Sequence, residues 1–322
     1  MNHKYYNFHN LLYVKSQLDI LPSYFYCQQK QDKLPDLIIA IQQNDYFASM
    51  LPTANQIMPG IYFNEQNNIL ISKITLFGFQ CFLSIKDFNK KQNTIVSINQ
   101  NYIRFTKHII RIPISSIFPI EHFIKLIINL AFLKKGAVMV LASGFHYKGK
   151  NFLISSFGCM GKTTLTMNVF NKQPSEFKLL SDDTCLFYKQ KVFGYPQKIR
   201  MRGKGTTFFN INKHVEPTKY FKISIINSFK PDFLIFLEHS NRNHVNTLDT
   251  PNAIHRLRTI SDKLFPLSFE RNIAALNYIY DLLSQYSSLI NNTYTQSLSI
   301  PGIIISGTLE HYSKTIENLC ST

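Results

Sequence analysis

Phe152-Leu153-Ile154-Ser155-Ser156-Phe157-Gly158-Cys159-Met160-Gly161-Lys162-Thr163-Thr164-Leu165 is the stretch that decides how this chain is read. It runs from a hydrophobic segment through a loop with two glycines into Gly-Lys-Thr-Thr. That order predicts a strand, an anion-holding loop and a helix. Backbone N–H groups of such a loop and of the helix's first turn converge on a phosphate, where the positive end of the helix dipole also points. Glycine lets the backbone come that close. Lys162 supplies a mobile cation for β- and γ-phosphates, and the Thr163 hydroxyl is a ligand for Mg²⁺. The expected nucleotide contacts are Ser156, Phe157, Gly158, Cys159, Met160, Gly161, Lys162, Thr163 and Thr164. The full pattern GxxxxGK[ST] asks for glycine where Ser156 stands, and Gly158 supplies part of the missing flexibility. A bare Gly-Lys-Thr also occurs in ordinary turns, so the weight lies in the strand before it and the helix after it.

A second element follows. Phe177-Lys178-Leu179-Leu180-Ser181-Asp182-Asp183 reads as a short apolar strand ending in two adjacent carboxylates. In open α/β sheets ligand groups gather at the carboxyl ends of strands, and two neighbouring acids there are unfavourable without a cation nearby. A solvated Asp-Asp turn is the competing reading; beside the phosphate loop, the functional one is preferred.

Outward from this centre the texture differs on the two sides. Between Asp36 and Arg111, short apolar segments at residues 37–41, 69–76, 81–85, 94–98 and 102–105 are separated by turn residues and predict β-hairpins. Residues 119–133 predict one amphipathic helix, closed by Lys134-Lys135-Gly136. After Gly136, strands alternate with helices: strands at 137–142, 151–154, 177–180, 232–237 and 302–305, and helices from Lys162 and at 273–284 and 309–319. Alternation of this kind predicts an α/β layer. Two domains are expected from 322 residues, a smaller β-rich one at 1–135 and an α/β one at 136–322.

Composition narrows the function classes. With 45% hydrophobic and 17% charged residues, the chain can bury a core. Its five cysteines are scattered without CxxC spacing, which argues for reduced thiols in a cytoplasm. No basic-then-apolar leader opens the chain, and the longest apolar run, residues 123–133, is short of the ~20 residues a membrane span needs. The net charge of +16 suits anionic partners, but no block of five or six like charges appears, so nucleic acid is not the expected partner.

Ser156 to Leu165, followed by Leu180-Ser181-Asp182-Asp183, resembles the phosphate loop and double-aspartate strand of HPr kinase/phosphorylase-like proteins, whose nucleotide core is shared with ATP-dependent phosphoenolpyruvate carboxykinases. Leu141-Ala142-Ser143, Tyr195-Pro196 and a preceding β-rich domain also look like that group. The resemblance implies a P-loop kinase domain of that type, with ATP and Mg²⁺ as cofactors. The implied roles give phosphate binding to Lys162 and metal binding to Thr163. Asp182 would accept the proton of the acceptor hydroxyl and Asp183 would serve the metal, although adjacent residues point to opposite sides and the pair can be exchanged. Arg202-Gly203-Lys204-Gly205 looks like the family's Arg-Gly-x-Gly loop and puts Arg202 near the site, with a basic surface turn as the alternative. Two residues depart from the pattern: Leu141 stands where the family commonly has histidine, with His146 five residues on, and Arg200 stands where a metal-binding glutamate is expected.

Two other acids come into view. Glu238 closes a strand and is a candidate replacement ligand or base, and Glu310 opens a helix, where the dipole favours an acid. The leading expectation is transfer of the γ-phosphate of ATP to a hydroxyl of a protein, peptide or small metabolite, in a cytoplasmic chain that, as family members often do, can form homo-oligomers. A nucleotide-binding regulator or scaffold without transfer is the alternative, and a nucleic-acid-binding ATPase draws on the charge alone.

Overall fold

The computed structural model describes residues 3–19, 21–28, 33–76, 78–88, 90, 93–108, 120–158, 160–196, 199–202, 212–261 and 300–321. The described residues up to Gly136 form one compact unit and those from Ala137 a second. Each is mixed α/β around one large sheet. Among the described residues, no helix is long and apolar enough to cross a membrane.

The first unit is built on a nine-stranded sheet. In chain order its strands are β1 (Lys4–Phe8), β2 (Leu12–Ser16), β3 (Tyr26–Cys27), β4 (Leu37–Gln42), β5 (Asn55–Met58), β6 (Ile61–Asn64), β7 (Ile69–Leu76), β8 (Phe79–Lys86) and β9 (Thr94–Asn99). Their spatial order is β3-β1-β2-β4-β9-β8-β7-β6-β5. Helices α1 (Asn44–Ala48), α2 (Gln100–His108) and α3 (Ile120–Leu133) complete it. Phe47 of α1 stacks on Phe82 of β8 and packs with Ile69 and Ile71 of β7. Residues 102–105, expected as a strand, lie within α2. The cause is a cap: the Asn99 side-chain oxygen accepts the Tyr102 N–H at 3.0 Å, and Asn-capped ends outweigh aromatic strand propensity over four residues.

The second unit holds β10 (Val138–Tyr147), β11 (Lys150–Ser155), α4 (Lys162–Lys172), β12 (Phe177–Ser181), β13 (Thr184–Tyr188), β14 (Lys191–Gly194), β15 (Ile199–Arg202), β16 (Asn212–Val215) and α5 (Pro217–Tyr220). The chain continues through β17 (Ser224–Ile225), β18 (Ser228–Phe229), β19 (Phe233–His239), β20 (His244–Leu248), α6 (Thr250–Ser261), β21 (Gly302–Gly307) and α7 (Leu309–Cys320). Ten of these strands form one sheet along β18-β14-β13-β10-β11-β19-β21-β20, with β12 pairing β10 and β17. β15 and β16 form a separate ribbon. The helix expected at 273–284 falls outside the described residues.

β11, β19 and β21 run parallel, and their interior positions are nearly all apolar, as expected of strands covered on both faces. Phe152 and Ile154 of β11, Ile235 and Leu237 of β19 and Ile305 of β21 share a core with Leu165 and Val169 of α4 and Tyr312 and Ile316 of α7. Burying Leu165 and Val169 fully contributes about 1.5–3 kcal/mol each, which seats α4 on the strand that precedes it. β10 is the long central strand, ending five residues beyond the apolar segment at 137–142, because it is paired along both edges.

Candidate functional site

β10 brings the two sequence elements together. β11 and β12 both lie antiparallel to it, so they point the same way, and their last residues meet neighbouring positions on β10: Ser155 opposite Ala142, and Ser181 opposite Gly144. The loop after β11 and the aspartates after β12 therefore emerge at the same end of the sheet, on either side of β10. β13 then takes over the pairing with β10 at Leu141–Thr184. Asp182-Asp183 thus sits not at a free strand end, as the sequence suggests, but at a kink between two strand segments that follow one another along β10. The kink is tied down from several sides. Ser143 Oγ donates to the Asp182 carbonyl, and Ala142 N–H donates to the Asp183 carbonyl at 3.1 Å. Behind it, Ser181 Oγ donates to the Tyr195 carbonyl at 2.8 Å, and a Cβ on Gly194 would run into the Leu180 carbonyl oxygen.

The loop has the expected strand–loop–helix context. Ser155 Oγ donates to the Leu141 carbonyl at 2.7 Å and anchors its start. Gly161, with φ +92°, is the left-handed residue that turns the chain into α4, and a Cβ there would meet nothing within 4 Å but would strain the backbone. Ser156 and Lys162 are buried, Phe157, Met160 and Thr163 half-buried, and Gly158 and Thr164 exposed. Cys159 lies outside the described residues. Lys162 Nζ donates to Ser156 O at 3.1 Å and to Ser156 Oγ at 3.3 Å.

Thr163 Oγ1 donates to Asp182 Oδ2 at 2.9 Å, which joins loop and kink directly. Asp182 is 7% exposed, and its Oδ1 is buried with no hydrogen-bond partner among the described residues. Burial pushes its pKa up to about 6, and the Asp183 charge adds to this; the Thr163 hydroxyl, the Lys162 ammonium and the Ser143 hydroxyl pull the other way. Asp183, one residue on, is exposed. The acid that meets Thr163 is therefore Asp182, which decides the side of a pair whose roles the sequence left exchangeable.

The remaining candidates separate. Arg202 pairs with Asn212 in the β15–β16 ribbon, and its side chain, like Gly203-Lys204-Gly205, lies outside the described residues, as does the Arg200 side chain. Glu238 is engaged structurally: Ser306 Oγ donates to it at 2.9 Å and Arg256 pairs with it. Burial alone would raise its pKa, but these partners hold it below the usual carboxylate range. Glu310 is in the first turn of α7, whose cap is Thr308, accepting from His311 N–H at 3.4 Å. Leu141 is buried, and His146 Nδ1 lies 2.9 Å from Asn151 Oδ1. Sequence reasoning missed the serines that brace the site, Ser143 and Ser155. Their signal was a hydroxyl inside an otherwise apolar strand, where a buried polar group needs a partner.

Several features fit a magnesium–nucleotide group: the orphaned Asp182 Oδ1, the adjoining Thr163 hydroxyl, the nearby Lys162 ammonium and the left-handed Gly161 at the mouth of α4. Among the described residues, no three His, Cys, Asp or Glu side chains cluster to hold a metal unaided. Mg²⁺ commonly binds through one or two carboxylates with substrate phosphates and water completing its shell.

No family model matches the chain. No curated protein matches it either. Among solved structures, it matches the Hpr(Ser) kinase/phosphatase from Coxiella burnetii at 11% identity, covering 57% of this chain and 93% of that chain, with a TM-score of 0.30. A likeness that shallow carries no argument about fold detail or activity.

Proposed function

We propose that the second unit binds ATP with Mg²⁺ at residues 156–164 and transfers the γ-phosphate to a hydroxyl of a protein, peptide or small molecule. The observation that carries this reading is the 2.9 Å hydrogen bond from Thr163 to Asp182, which couples a Gly-Lys-Thr helix start to a buried carboxylate whose other oxygen has no hydrogen-bond partner among the described residues. In this reading the N–H groups opening α4 and the Lys162 ammonium hold the phosphates, and Thr163 and Asp182 hold the metal side. Bound Mg²⁺ would supply charge neutralisation across the β- and γ-phosphates. Asp183, exposed beside this group, is left to orient the acceptor hydroxyl and take its proton. These roles exchange the two acids relative to the family resemblance, because the carboxylate tied to the metal-binding threonine is the worse placed to meet a second substrate. Calorimetric titration of ATP into the full chain, with Mg²⁺ and with EDTA, tests the core of the proposal. Magnesium-dependent binding is the expected result, and no binding in either condition overturns it. Binding without transfer to any acceptor tried would leave the chain a nucleotide-binding regulator.

A further inference from the structure

Ser156 occupies the position where the loop pattern calls for glycine, and its side chain is not idle. Its hydroxyl proton goes to the Phe157 carbonyl at 3.0 Å, so its oxygen is left to accept from Lys162 Nζ at 3.3 Å, beside the Ser156 carbonyl at 3.1 Å. Both side chains are buried, Ser156 at 1% and Lys162 at 7% exposure. A glycine would offer the ammonium the carbonyl but no hydroxyl.

We propose that Ser156 is a positioning residue that holds the Lys162 ammonium back in the loop and thereby lowers the affinity for nucleotide; this rests on reading residues 156–164 as the nucleotide loop. An ammonium has three protons, and each one held by a protein oxygen must be given up or shared when a phosphate takes it. Removing the hydroxyl removes one competitor. Ordinary packing loss at a buried serine would loosen the loop and weaken binding, so the two roles predict opposite signs.

The test is ATP titration, in the presence of Mg²⁺, into the native chain, Ser156→Ala and Ser156→Gly. Both variants should bind about three- to tenfold more tightly, the scale of one ordinary hydrogen bond, since the contact to be removed is a long one. Should Ser156→Ala fail to fold, Ser156→Cys keeps the side-chain volume with a poorer acceptor and should tighten as well. Affinity for Ser156→Ala (or Ser156→Cys) within twofold of native, or weaker, overturns the proposal. Tightening confined to Ser156→Gly also overturns it, because the Cβ and not the hydroxyl would then be responsible. No binding by the native chain or any variant overturns the nucleotide reading itself.

Discussion

Two aspartates are buried among the described residues, one in each unit, and they are treated oppositely. Asp36 is saturated: Tyr13 N–H donates to its Oδ2 at 2.9 Å and Lys135 Nζ to its Oδ1 at 2.6 Å. Asp182 has the Thr163 hydroxyl on one oxygen and nothing on the other among the described residues. A buried carboxylate costs stability unless it is paired and hydrogen-bonded. Asp36 answers that requirement with the protein's own groups and so belongs to the fold, whereas Asp182 leaves it open among the described residues, in keeping with the metal side proposed for it.

The contrast can be broken most sharply one residue beyond Asp182. Asp183→Asn should lower phosphate transfer by about 10² to 10⁴-fold, the usual worth of a general base, and leave ATP affinity unchanged. An unaltered rate, measured against any acceptor that the native chain phosphorylates, would remove Asp183 from the chemistry. Asp36→Ala should cost about 3–5 kcal/mol of stability, as breaking a buried ion pair does, with ATP affinity at the native value wherever the chain is folded. Denaturant unfolding followed by titration reads both, and a chain of native stability would mean that Asp36 is no keystone of its unit. Lys162→Met should weaken ATP binding by about 10- to 100-fold, since it removes charged hydrogen bonds to the phosphates; equal affinities by calorimetry would mean residues 156–164 hold no phosphate.

The smallest effect is the most diagnostic of an unmet carboxylate. The Asp182 pKa is raised from 3.8 to about 6 in the folded chain. The native state therefore holds that proton more tightly than the unfolded state does, and ionising the group lowers stability as pH rises from about 4 to about 6, with the full cost present above that. In EDTA, Asp182→Asn should melt higher than native at pH 7, and the gap should close toward pH 4. Asp36→Ala should melt lower than native at pH 7. A lower melting point for Asp182→Asn at pH 7 would place both acids in the same structural class.

How much of this could be read beforehand depended on the range of the interaction. The run 152–165 carries its own context, the apolar Phe152-Leu153-Ile154 and a Gly-Lys-Thr helix start, and both β11 and α4 are where those residues predict them. Strands β1 and β2 were not anticipated, since each is five residues long with polar residues set among Tyr, Phe, Leu and Val in no regular alternation. The helix at α2 was hidden by aromatic residues and revealed by the Asn99 cap. At the site, both aspartates were visible but not their division. Which carboxylate turns toward Thr163 depends on how β12 hands over to β13 along β10, a pairing of residues about forty positions apart. Adjacent residues at a kink do not announce their sides.

Gly194 lies three strands along the sheet from β11, yet it backs the residue pair that leads into the aspartates. In a library that randomises every position and is sorted on ATP binding, Gly194 should be depleted of variants as strongly as the loop itself. Any side chain there drives the Leu180 carbonyl forward and carries the 182–183 kink with it. The footprint of the site in tolerance to mutation is then wider than its footprint in space, and suppressors of a Gly194 substitution should arise around Leu180 and Tyr195 and not among residues 156–164.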